Sequence, residues 1–171
     1  PKHTIKPEVE MNSDFLEKLN ELYQALAKKT EDLALLLSGF GKCEYGWYNG
    51  HFHKDDGKWV KEYYPIPVIS VKGLCDIEVG LETTTLSAKL GRDAAAQFPF
   101  ETLSGYEFEV YGAQDYLSDF YSDGITISQA KENIRNSAEN EIGFSFAVDR
   151  ANGSEQLVKL VGMLKDAGFY N

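Results

Sequence analysis

Two histidines one residue apart, His51 and His53, are followed closely by the carboxylates Asp55 and Asp56. On an extended strand alternate residues share a face, so both imidazoles could reach one ion. A zinc site takes three or four placed protein ligands, and this pair supplies two. The third histidine, His3, lies far away in the opening segment. The sequence therefore predicts no metal. Cys43 and Cys75 are the candidate nucleophiles, and either would need a lowered thiol pKa and a base within reach. Cys75 shares its strand face with Gly73 and Ile77, which makes it a core thiol. The cysteines lack the CxxC spacing of a redox or zinc motif and read as buried, reduced thiols in strands; location rather than spacing decides whether they join. The acid pairs Asp76/Glu78 and Glu107/Glu109 alternate along strands as a solvated face would, and acid–base catalysis would require one member to be buried. No Gly-x-Ser-x-Gly elbow occurs, and the glycines at 73 and 91 stand outside any phosphate loop or dinucleotide fingerprint. No catalytic residue and no cofactor are expected.

The densest chemistry is aromatic. Seven of the twenty residues from Tyr45 to Tyr64 carry aromatic rings, and both tryptophans, Trp47 and Trp59, are among them. Tyrosine and tryptophan are enriched at recognition surfaces because they hide area while keeping one polar atom. They are also good strand residues, so sheet packing explains part of the pattern. The turn Asp55-Asp56-Gly57 competes with Asn49-Gly50 for the head of a hairpin over 43–64. Built on the Asp-Gly turn, the register sets Lys54 against Lys58, His53 against Trp59, Phe52 against Val60, His51 against Lys61 and Tyr48 against Tyr64. Rings then stand on both faces: Tyr48, Phe52 and Tyr64 on one, Trp47, Trp59 and Tyr63 on the other. A two-layer domain buries one sheet face, so the second set needs a helix, a partner or a ligand.

The elements that must carry these residues follow from periodicity. Residues 1–12 read as a loose arm. From Asp14, an N-cap candidate with Glu17 as its reciprocal partner, Phe15, Leu19, Leu22, Leu26, Leu33, Leu36 and Phe40 recur at helical spacing, and Gly39 and Gly41 stop the run. This is one rod of about 25 residues, or two helices broken at Thr30; a rod that long can lie across a sheet or pair with a copy of itself. Strands are predicted over Val68–Val71 and Cys75–Leu81, around Leu86–Leu90, and over Tyr106–Val110 and Ile142–Val148. A helix is predicted over Gln114–Tyr121, another after the capping box Thr126/Gln129, and a last one after Asn152/Glu155, ending at Gly168. The order is α+β: one domain over 1–171, with an antiparallel sheet of about five or six strands and a long N-terminal helix and C-terminal helices packed on it.

Charge narrows the partners. The net charge is -10, with 11 lysines against 14 acids in residues 1–90 and 6 basic residues against 13 acids in 91–171. A phosphate backbone or an anionic membrane is a poor partner for such a chain. No run is apolar enough to span a bilayer and the first residues hold no signal core, which points to the cytoplasm. The expected function is a non-catalytic protein-interaction or regulatory domain, self-associating as a homodimer or meeting a basic protein surface. The alternative is a small enzyme or ligand-binding domain whose pocket is framed by the aromatic hairpin 43–64, with His51, His53, Tyr48 and Tyr63 as its polar groups.

Overall fold

The computed structural model describes residues 13–48, 51–62, 66–103, 106–113, 119–121, 124–149 and 153–168, with the side chains of 51–53, 62 and 119 outside it. Its strands are β1 (Cys43–Trp47), β2 (His51–Asp55), β3 (Lys58–Glu62), β4 (Pro67–Val71), β5 (Cys75–Glu78), β6 (Thr83–Gly91), β7 (Glu107–Gly112), β8 (Asp119–Tyr121) and β9 (Glu141–Asp149). The helices are α1 (Ser13–Leu37), α2 (Arg92–Gln97), α3 (Ile127–Arg135) and α4 (Gly153–Ala167). Seven strands form one antiparallel sheet in the order β1-β4-β5-β6-β9-β7-β8, while β2 and β3 pair separately. The class is α+β as expected, and the sheet is wider than the predicted five or six strands.

One face of the sheet is apolar because the alternation in five strands is in phase. Ile69, Ile77, Leu86, Phe146 and Phe108 stand opposite one another in a single row, and Val71, Cys75, Ala88, Phe144 and Val110 form the next. The C-terminal strand β9 enters the middle of this sheet, between β6 and β7, so its two phenylalanines reach the densest part of the core. Phe144 lies 5.6 Å from both Phe98 and Phe100, centroid to centroid. Leu157, Leu160, Val161 and Leu164 of α4 and Leu33, Ala34 and Leu37 of α1 join the same buried cluster. Each such side chain contributes roughly 1.5–3 kcal/mol on burial. The other face carries the row Ser70, Asp76, Ser87, Ser145 and Glu109, all half-buried or exposed. There the ring of Tyr111 lies over Gly143 so closely that a methyl group at 143 would overlap it.

Local signals set several boundaries. Thr126 accepts a hydrogen bond from the Gln129 amide at 3.1 Å, capping α3, and Gly168 takes φ 69° just beyond α4. α1 is one rod of 25 residues. It begins at Ser13, so Asp14 sits in its first turn, where its charge favours the helix dipole, and not at the cap. Thr30 does not break the rod, because its hydroxyl donates back to the Leu26 carbonyl at 2.8 Å. The rod ends without a left-handed glycine: Ser38 and Phe40 amides close on Ala34 and Leu37 carbonyls, and Phe40 packs onto the core. The inward residue of the last turn is Leu37, while Leu36 faces out. Of the helix predicted over Gln114–Tyr121, residues 114–118 lie outside the described residues and Asp119–Tyr121 is strand β8. The gain is packing: Tyr121 stacks on Phe108 of the neighbouring strand at 4.6 Å and 10°, and Phe120 is buried.

Candidate functional site

The stripe that binds α1 to the core does not stop where the core stops. Leu26, Leu33 and Leu37 continue at the same spacing back through Leu22, Leu19 and Phe15. Leu33 and Leu37 are buried and Leu26 packs at the margin, whereas Leu22 is 52% exposed and Phe15 62%. About half of a rod roughly 37 Å long therefore presents its apolar stripe to solvent. An amphipathic helix face is stabilised by what it packs against, and among the described residues the core packs on the C-terminal part.

Beside the middle of α1 runs β1, the terminal strand of the sheet among the described residues. In the β1–β4 ladder Tyr45 opposes Ile69 and Trp47 opposes Pro67. Opposed residues share a face, and Ile69 is buried, so Tyr45 and Trp47 stand on the helix-bearing side of the sheet. They are nevertheless 64% and 66% exposed, because no element covers them among the described residues. Between these rings and α1 lies an open groove of about 480 Å³, walled by Tyr23, Leu26, Ala27 and Thr30 on one side and Tyr45, Trp47 and Pro67 on the other. Glu31 stands at its rim. The wall is largely apolar, with two tyrosine hydroxyls, the Thr30 hydroxyl, the Trp47 indole N–H and the Glu31 carboxylate as its polar side-chain groups. Such a groove takes apolar side chains and offers a few hydrogen bonds to orient them.

The aromatic hairpin differs from expectation. The stretch 43–64 is not one hairpin: β1 pairs with β4, and the Asp-Gly turn heads the shorter ribbon β2–β3. Asp56 and Gly57 both take positive φ, 51° and 74°, which makes a two-residue turn where the predicted register assumed three. Every pair consequently moves by one residue. Lys58 opposes Asp55, Trp59 opposes Lys54, Val60 opposes His53, Lys61 opposes Phe52 and Glu62 opposes His51. Opposite charges replace the lysine pair, and the Lys54 ammonium sits 5.3 Å from the centre of the Trp59 ring. Tyr48 joins the other ladder, its amide donating to the Ile66 carbonyl at 2.8 Å. Trp59 is 68% exposed at the ribbon surface. Tyr63 and Tyr64 lie outside the described residues.

The remaining chemical candidates do not converge. In the strand register His51 pairs with Glu62, and Lys61 with Phe52. Among the described residues no three His, Cys, Asp or Glu side chains gather as a metal site. Cys43 and Cys75 both oppose Val71, one from each side. Two strand spacings, about 9.5 Å, separate them, beyond the ~7 Å reach of a disulfide. Both are free thiols. Burial above all pushes the Cys75 thiol up to about 12, with Asp76 and Cys43 adding to it, and burial raises Cys43 as well. Neither is an activated nucleophile. Of the acid pairs, Glu107 and Glu109 are exposed. Glu78 is half-buried, and desolvation, then the Asp76 charge, raises its pKa. Thr85 stands opposite it on β6. No helix among the described residues is long and apolar enough to cross a membrane.

No family model and no curated protein matches the chain. Among solved structures it is similar to the conserved hypothetical protein Pfu-178653-001 from Pyrococcus furiosus, with a TM-score of 0.66 and 21% identity over 90% of this chain and 96% of that one. The likeness establishes a shared fold. Tyr23, Leu26, Ala27 and Thr30 were not singled out from sequence as a recognition wall. Their signal was the length of the α1 stripe, longer than a single core needs.

Proposed function

We propose that this chain is a non-catalytic, cytoplasmic protein-interaction domain whose docking surface is the apolar stripe of α1 at Leu19–Tyr23 together with the Tyr45–Trp47 groove. One observation carries the reading: the apolar stripe of α1 runs on past the core at Leu22 and Leu19, next to the exposed aromatic wall of Tyr45 and Trp47. Contiguous apolar surface of that extent on a domain marks an interaction site. Two separated, proton-holding thiols fit a reducing compartment. The small-ligand alternative rested on a pocket framed by hairpin 43–64; the groove instead opens between a helix and a sheet edge, a shape suited to a protein side chain more than to an enclosed metabolite.

Affinity capture tests the reading. Immobilised wild type in extract of the source cell should retain protein, its own chain included, and Leu19→Asp/Leu22→Asp should retain none of it while showing an unchanged circular dichroism spectrum. Equal retention by both chains would remove this surface from the account.

A further inference from the structure

Resting on that docking reading, we infer that the groove between α1 and β1 takes a basic segment of a partner protein, with an arginine side chain laid along its aromatic wall and the guanidinium on Glu31. Tyr23, Ala27 and Glu31 fall four residues apart on α1, so one row of the helix, rising about 6 Å per step, faces the groove. Ala27 leaves space between the ring and the carboxylate. Across the groove Tyr45 and Trp47 stand about 6.7 Å apart along one face of β1. Three rings and a carboxylate thus line one open trough, and all three rings are more than half exposed.

Charge selects the occupant. Glu31 is the sole ionised side chain lining the groove among the described residues, and none of them pairs with it. Lys28, three residues before it, closes on Asp32 at 2.9 Å, and Lys29 donates to the Gly80 and Leu81 carbonyls. The chain as a whole carries a net charge of -10. A cation is drawn to the faces of tryptophan and tyrosine, and a carboxylate at the end of the same wall fixes where it stops. Arginine fits both parts: its planar guanidinium stacks on rings and forks onto a carboxylate, while its methylene stem covers apolar wall. An acidic segment would instead set like charge against Glu31.

The test titrates nitrogen-15 protein with an acetylated, amidated pentapeptide of alanine and leucine around a central arginine. The same peptide with citrulline, which keeps the shape and removes the charge, runs beside it. The Trp47 indole and the Tyr45 and Glu31 amides should shift saturably with the arginine peptide, and citrulline should weaken binding roughly fivefold. Trp47→Ala should weaken the arginine peptide by a similar factor, and Glu31→Gln should narrow the gap between the two peptides to about twofold. Equal binding of both peptides by wild type, shifts centred on the ribbon at Trp59, or no saturable shift with millimolar peptide overturns the cationic occupant while leaving extract capture to judge the broader reading. Groove shifts that appear on concentrating the protein alone give the groove to a second copy, and tetramethylammonium matching the arginine peptide gives it to a small cation. Either result overturns the basic segment.

Discussion

Burial keeps the proton on the Cys75 thiol, whose pKa rises to about 12 from an ordinary value of 9.0. The sign of the pH effect follows. Between those values the unfolded thiol releases its proton and the folded one keeps it, so the unfolded state binds fewer protons and stability falls as pH rises. Urea unfolding from pH 9 upward should show this loss, at most ~4 kcal/mol across the window, and Cys75→Ala should flatten that part of the slope. A wild-type slope unchanged by the substitution would argue against a buried, protonated thiol. At neutral pH, Ellman's reagent should modify native Cys43→Ser only on unfolding, and Cys75→Ser faster through its half-buried Cys43. On the open sheet face, Gly143→Ala pushes a methyl into the Tyr111 ring, and denaturation should read a loss of about 1 kcal/mol. In a Tyr111→Ala background the same change should be close to neutral, which isolates the ring as the obstacle. The core role of Cys75 was legible from its alternating neighbours. The Gly143–Tyr111 contact was not, since it depends on which strand lies beside β9.

α1 is one element with two energetic regimes. Leu33→Ala empties a buried site and should cost 2–5 kcal/mol, of the order found for core leucines. Leu19→Ala removes an exposed side chain and should change monomer stability by less than ~0.5 kcal/mol, while weakening association. Equal costs in dilute protein would mean that the N-terminal half is as embedded as the C-terminal half. Periodicity revealed the helix and its apolar side, because spacing is a local property. It could not say where cover ends, because that depends on how far the rest of the core reaches. The same limit explains the hairpin: Asp56-Gly57 named the turn, but only φ at Asp56 separates a two-residue from a three-residue loop, and that single residue moved every pair from Lys54–Lys58 to Asp55–Lys58. β8 is the converse, with residues of helical spacing drawn into a strand by ring stacking on Phe108.

At the scale of the molecule, the α+β class and most strands were readable because in-phase alternation in β4, β5, β6, β7 and β9 builds one apolar face. Strand order was not readable: inserting β9 between β6 and β7 is a long-range choice that its own residues do not encode. That choice leaves β1 at an edge with Tyr45 and Trp47 uncovered, and so creates the groove. The central claim is that this edge and the apolar stripe of α1 at Leu19–Tyr23 are covered by protein when the domain works. Hydroxyl-radical labelling reads that cover directly, comparing dilute purified protein with the same protein concentrated and in extract of the source cell. Labelling of Tyr23, Tyr45 and Trp47 should fall several-fold on concentration or in extract, with Trp59 on the separate ribbon serving as the internal reference. Unchanged labelling of all three groove residues under both conditions would contradict the account.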